Sequence, residues 1–201
     1  MVLDKVLPGS KHNRVPAQAS PKQAQVDKRE RYYRERVRHH GRRYRAFHRP
    51  SVELLLNLLY TYDVTASHFA RRIGRHGLSI SAFNALMILN QGDRKGCPLH
   101  ELGELLLVSR ANITGLVDSL ARKGLVERAG DEGDRRVRIA RITKAGEALL
   151  DSILPDHYAE VREVSGGLSN KERAALRDLL TKLRYSVQRA IESREKGTPK
   201  K

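Results

Sequence analysis

Residues 108–128 read VSRANITGLVDSLARKGLVER, and residues 134–143 read DRRVRIARIT. In the first run Ile113, Leu116, Val117 and Leu120 recur at i, i+3, i+4 and i+7, which is one apolar face of a helix. Ser109 before that face is a helix cap, and Gly124 after it is a stop. The opposite face carries Arg110, Thr114, Gly115, Asp118 and Arg122. Past Gly124 the period falls from 3.6 to 2. Leu125 to Ala129 alternate as one short strand and Val137 to Ile142 as a second, with the turn-rich Gly130–Asp134 between them. Arg135, Arg136 and Arg138 flank that hairpin tip, so the ribbon reads as a wing that sets cations against a sugar-phosphate backbone or into a minor groove.

Immediately upstream, Pro98 suits a first helical turn and opens a short helix through Leu99, Leu102, Leu105 and Leu106. A tight turn around Val108 and Ser109 joins it to the next helix, which makes the pair a helix-turn-helix. Ser109, Arg110, Ala111 and Asn112 then occupy the N-terminal end of the second helix. Free backbone N–H groups and the helix dipole favour phosphate there, while Arg and Asn can reach guanine or adenine edges.

Two helices precede this lobe. Ser51 reads as the cap of the first, with a stripe of Val52, Leu55, Leu56, Leu59, Tyr60 and Val64, and Gly77 as its left-handed end. Ser79 caps the second, with Phe83, Leu86, Met87 and Leu89 inward and Gly92 as its stop. Two more helices follow the wing. Thr143 caps one that runs to the Gly166-Gly167 break. Ser169 caps the other, and Glu172 completes a capping box. The stripe of Leu176, Leu179, Leu180, Leu183, Val187 and Ile191 on that last helix is more apolar than a lone surface helix needs. The fold class is therefore mainly α with a small β-hairpin wing: a winged helix-turn-helix lobe over about 79–143, and helices over about 51–76 and 144–193. A basic tail covers 194–201.

The chain has 201 residues, with 39 Lys plus Arg against 23 Asp plus Glu, a net charge of +16. Charge of that size concerns partners, and it favours a polyanion. Cys97 is the single cysteine, which excludes a disulfide scaffold. The most apolar stretch, Val52 to Tyr60, is interrupted by Glu53 and Asn57 and is far short of the roughly 20 residues of a membrane span. No signal-peptide core precedes the basic run. The chain thus reads as soluble and cytoplasmic, nucleoid-associated in a bacterial or archaeal cell, with no membrane partner.

The charge is concentrated at the front. Residues 1–50 hold 14 Lys or Arg and four acids, which is ten of the sixteen net charges. Residues 1–26, with Pro8, Pro16 and Pro21, have too little apolar surface to offset chain entropy and are expected to be disordered. Residues 27–47 lack Pro and tolerate a helix. Within this basic arm Arg36, Arg38, Arg42, Arg43 and Arg45 are candidates to contact DNA; a solvated tail is the alternative.

The run at 108–128 and the pattern Asp134, Arg136, Ile142, Thr143 closely resemble the MarR family of winged-helix transcription regulators, over about residues 51–193. That resemblance implies a homodimer in which the first and last helices of both chains intertwine, placing two recognition helices in successive major grooves of a pseudo-palindromic duplex. It implies base and phosphate contacts for Ser109, Arg110, Asn112 and Thr114, a minor-groove role for Arg136, and an ion pair from Asp134 that orients it. It implies a repressor, released in many members by a small-molecule effector held between the dimer helices and the DNA-binding lobe. Tyr60, His68, Phe69 and Phe83 are candidates to line such a pocket, and the same residues also fit a plain core. The arm departs from the family's pattern.

Rival chemistries find less support. Cys97, His100 and Glu101 or Glu104 have metal-ligand residue types, but so few donors at that spacing arise by chance, and no metal or cofactor is assigned. No nucleophile, phosphate loop or paired carboxylate stands out, so no enzyme is expected. Two other readings remain open: an architectural protein that coats DNA without sequence preference, driven by the arm, and a winged-helix module that binds proteins.

Overall fold

The computed structural model describes residues 28, 31–32, 35–36, 39, 41–106, 108–130 and 138–197. The chain divides into two units, Met1–Arg49 and Pro50–Lys201. In the first, the described residues from Lys28 to His39 are helical and exposed. The helix expected over 27–47 does not run through. A 3-10 turn forms at Gly41–Arg43, and Tyr44 N–H and Phe47 N–H then donate to the carbonyls of Gly41 and Tyr44 at 3.0 Å each. The Phe47 ring folds back over Gly41 and occupies the space a Cβ would take. Arg38 and residues 1–26 lie outside the described residues.

The second unit begins with helix α1, Arg49–Gly74. Ser51, expected as its cap, lies inside the first turn. Pro50 takes an early position where a missing N–H costs nothing. The helix ends at Gly74, and an extra turn intervenes before Gly77 reverses the chain at φ 71°. Helix α2, Ile80–Gln91, is the centre of the core, with Ala82, Phe83, Ala85, Leu86 and Leu89 all buried. Ser79 caps it as expected, accepting from Ala82 N–H at 3.1 Å.

The short helix expected from Pro98 starts one residue later, at Leu99, and Cys97–Pro98 form a two-residue strand β1 that pairs antiparallel with Ala140 and Ile139, which the sequence reading did not anticipate. The sheet therefore has three strands in the order β1-β3-β2, where β2 is Val126–Gly130 and β3 is Arg138–Ile142. Gly96 makes this possible. At φ +96° a Cβ there would meet the Ala140 carbonyl oxygen and Ile139 Cγ2, each at 2.6 Å. Arg141 Nε fastens the same corner by donating to the Lys95 carbonyl at 2.6 Å.

Helices α3, Leu99–Leu106, and α4, Arg110–Arg122, form the helix-turn-helix. Gly103 on α3 faces Ile113 on α4, where an added Cβ would make ordinary contact, 3.5 Å from Ile113 Cγ2. Ile113, Val117 and Leu120 are at most 2% exposed, so the apolar face read from sequence is the buried one. Helix α5, Lys144–Val164, starts at the Thr143 cap and runs through Pro155. Helix α6, Asn170–Gly197, starts at the expected capping box: Ser169 N–H donates to Glu172 Oε2 at 2.8 Å and Glu172 N–H to Ser169 Oγ at 3.3 Å. The Ser169 hydroxyl, donating to Glu172 Oε2 at 2.7 Å, and the Ser169 N–H together hold the Glu172 carboxyl below the usual carboxylate value.

Burial is uneven. Leu86, Leu102, Val117, Ala140 and Leu150 are fully inaccessible around α2. On α1, Leu54, Leu55, Leu59 and Val64 are each about half exposed, and on α6 so are Leu176, Leu179, Val187 and Ile191.

Candidate nucleic-acid interface

The exposed end of α4 is built from its cap. Ser109 keeps extended backbone angles and its Oγ accepts from Asn112 N–H at 3.4 Å. Ala111, Asn112 and Thr114 are all exposed, on the side of α4 opposite Ile113 and Val117. Small and amide side chains at a helix N-terminus leave room for a phosphate or a base edge. Arg110 takes its place in the first turn, while its side chain is outside the described residues. Asp134, Arg135 and Arg136 also lie outside them. Arg138 is exposed at the start of β3, paired with Gly130 at the end of the β2–β3 ladder next to the connecting loop.

Two contacts near this surface were not assigned in the sequence, or only in outline. Asp118 is bonded to Arg128 Nη1, a residue of β2. The acid of the recognition helix is thus neutralised by the wing, and helix and hairpin are tied together. Lys123, at the C-terminal end of α4, donates to the Gly77 carbonyl at 2.5 Å, binding the turn after α1 to the same helix. Nothing local in the sequence links residues 77 and 123; a shared requirement to cap a helix end is the only signal.

A separate cluster joins α1 to α5. Glu160 accepts from Arg72 Nη2 at 2.7 Å and meets His68 Nε2 at 2.5 Å, with its side chain only 14% exposed. Beside it His157 packs against Phe69 and Phe83, ring centroids 5.5 and 4.9 Å away. Burial pushes the His157 pKa down, and the Glu160 charge partly opposes that. A cleft of about 260 Å³ opens here, lined by Phe69, Arg72, Ile73, Asp156, His157 and Glu160 among others. Of the four residues picked from sequence, Phe69 and Phe83 pack against His157, and His68 lies against Phe69 and Glu160. Tyr60 sits nine residues earlier on α1, about 13 Å along the axis. Arg72, His157 and Glu160 were missed because their meeting depends on how α1 packs against α5.

Cys97 sits half-buried in β1, its thiol 3.5 Å from the Pro98 carbonyl. Burial and the nearby Glu101 push its pKa up, which disfavours the reactive thiolate. Among the described residues no three His, Cys, Asp or Glu side chains converge as a metal site, and no helix is long and apolar enough to cross a membrane.

Known proteins share this architecture. The pattern of the MarR family matches residues 76–137. The HTH-type transcriptional regulator MhqR of Bacillus subtilis (strain 168) is 35% identical over 134 residues, which cover 66% of this chain and 90% of MhqR. The crystal structure of a probable transcriptional regulator from Pseudomonas aeruginosa is 31% identical at a TM-score of 0.60, covering 67% of this chain and 99% of that one. Sco3205, a MarR family transcriptional regulator from Streptomyces coelicolor solved in complex with DNA, has the same fold at a TM-score of 0.63 and 23% identity, covering 69% of this chain and 89% of its own.

Proposed function

The chain belongs to the MarR family of transcriptional regulators, and on that footing we propose that it is a homodimeric, sequence-reading repressor of double-stranded DNA. The observation that carries this reading is the capped N-terminus of α4, exposed beside a hairpin whose flanks are rich in Arg. Ser109, Asn112 and Thr114 supply hydrogen-bonding groups to phosphate and base edges, with Ala111 leaving space between them and Arg110 adding a cation. Arg135, Arg136 and Arg138 supply wing contacts to the backbone and minor groove, with Asp134 orienting Arg136. No reaction chemistry enters this account, and the site of action is the cytoplasm. The cleft beside Glu160 and His157 is where a small effector would act, because it lies between α1, α5 and the buried Phe83 of the DNA-binding lobe.

Two single substitutions test the residue roles on a duplex selected by the wild-type protein. Asn112→Ala is expected to cost about 1–3 kcal/mol and relax preference at one base position. Arg136→Ala is expected to weaken binding and flatten the preference for A·T flanks. Full affinity and unchanged preference in both variants would remove those residues from the interface.

A further inference from the structure

The recognition helix and wing leave most of the molecule's positive charge unused. Ten of sixteen net charges sit in residues 1–50, and between residues 28 and 49 nine of the ten basic residues are Arg. Arg is the side chain suited to forked hydrogen bonding of phosphate oxygens. The described residues of this segment from Lys28 to His39, namely Lys28, Arg31, Tyr32, Glu35, Arg36 and His39, are helical and exposed. The Arg36 guanidinium lies 5.0 Å from the centroid of the Tyr32 ring. Such stacking orders a guanidinium through its flat face and leaves its in-plane N–H donors directed outward.

From these observations we propose that the N-terminal arm is a second DNA-contacting element, gripping the phosphates of the duplex that flanks the operator. The proposal rests on the regulator reading above and extends it from two recognition helices to a longer footprint. Chemistry selects the partner. Between residues 27 and 46 the chain has no Leu, Ile, Met, Phe or Trp, so it lacks the apolar face an interfacial membrane helix requires. Arg49 ends the arm's unit and begins α1, so the arm is tethered to the DNA-binding body at high local concentration.

The test uses the full-length chain and a variant with Lys28→Gln, Arg31→Gln, Arg36→Gln and Arg45→Gln, since Gln keeps helix propensity while removing charge. Both are titrated against the duplex that wild type selects from a random library, in two lengths: the protected core alone, and the core with about twelve extra base pairs on each side. Wild type is expected to bind the longer duplex about tenfold more tightly and with a steeper salt dependence, by about 0.9 in slope for each added phosphate contact. The variant is expected to lose that advantage while binding the core duplex as wild type does. Equal affinity and slope of wild type on both lengths would overturn the proposal while leaving the regulator reading intact. Failure of wild type to select any duplex would overturn the regulator reading itself. Loss of binding by the variant only on single-stranded RNA or on phosphatidylserine vesicles would overturn the proposal and reassign the arm.

Discussion

His157 shows how one residue reports on packing between elements. Its ring lies against Phe69 and Phe83, and burial lowers its pKa from the ordinary 6.5. The unfolded chain therefore takes up a proton at His157 more readily than the folded one. This contribution to stability is present above the ordinary histidine value and is lost as the pH falls through the lower folded value. Chemical denaturation between pH 7.5 and 5 is expected to show stability falling with pH, and His157→Gln is expected to flatten that fall. An equally steep fall in the variant would place the titration on other histidines. At this scale the caps Ser79, Ser109, Thr143 and Ser169 were legible, because each cap hydrogen bond closes within three residues of sequence. The Arg72–Glu160–His68 cluster was not, because its partners are about 90 residues apart and meet only through tertiary packing.

At the scale of elements, the helix-turn-helix and the two long wing strands could be read from their periods, 3.6 and 2. Strand β1 could not: two residues have no period, and only the positive φ of Gly96 and the pairing with β3 define it. The arm's turn at Gly41 was hidden for a similar reason, since it depends on Phe47 folding back. The apolar stripe of α6 was visible in sequence, and its meaning becomes concrete in the structure. Leu179 is 64% and Val187 50% exposed on a 28-residue helix that contributes no buried residue among those described. Open faces of this kind on α1 and α6 fit a dimer whose end helices intertwine. Leu179→Glu combined with Val187→Glu is expected to convert a sedimenting dimer to a monomer. Operator affinity is expected to fall about a hundredfold or more as the two half-sites are uncoupled. A variant that remains a dimer would move the interface away from α6.

At the scale of the whole molecule, two features act together. The body supplies a shaped reader, with the acid Asp118 already neutralised by Arg128. The net charge of +16 supplies attraction that does not depend on sequence. An architectural protein would need only the charge; a regulator needs the reader, held at a fixed spacing by dimerisation. Selection of duplexes from a random library at about 150 mM salt, where the Debye length is about 8 Å, separates the two most directly. A sequence-reading dimer is expected to enrich an inverted repeat whose half-sites are centred about ten base pairs apart, one helical turn. Retention of duplexes with no enriched motif would contradict that reading.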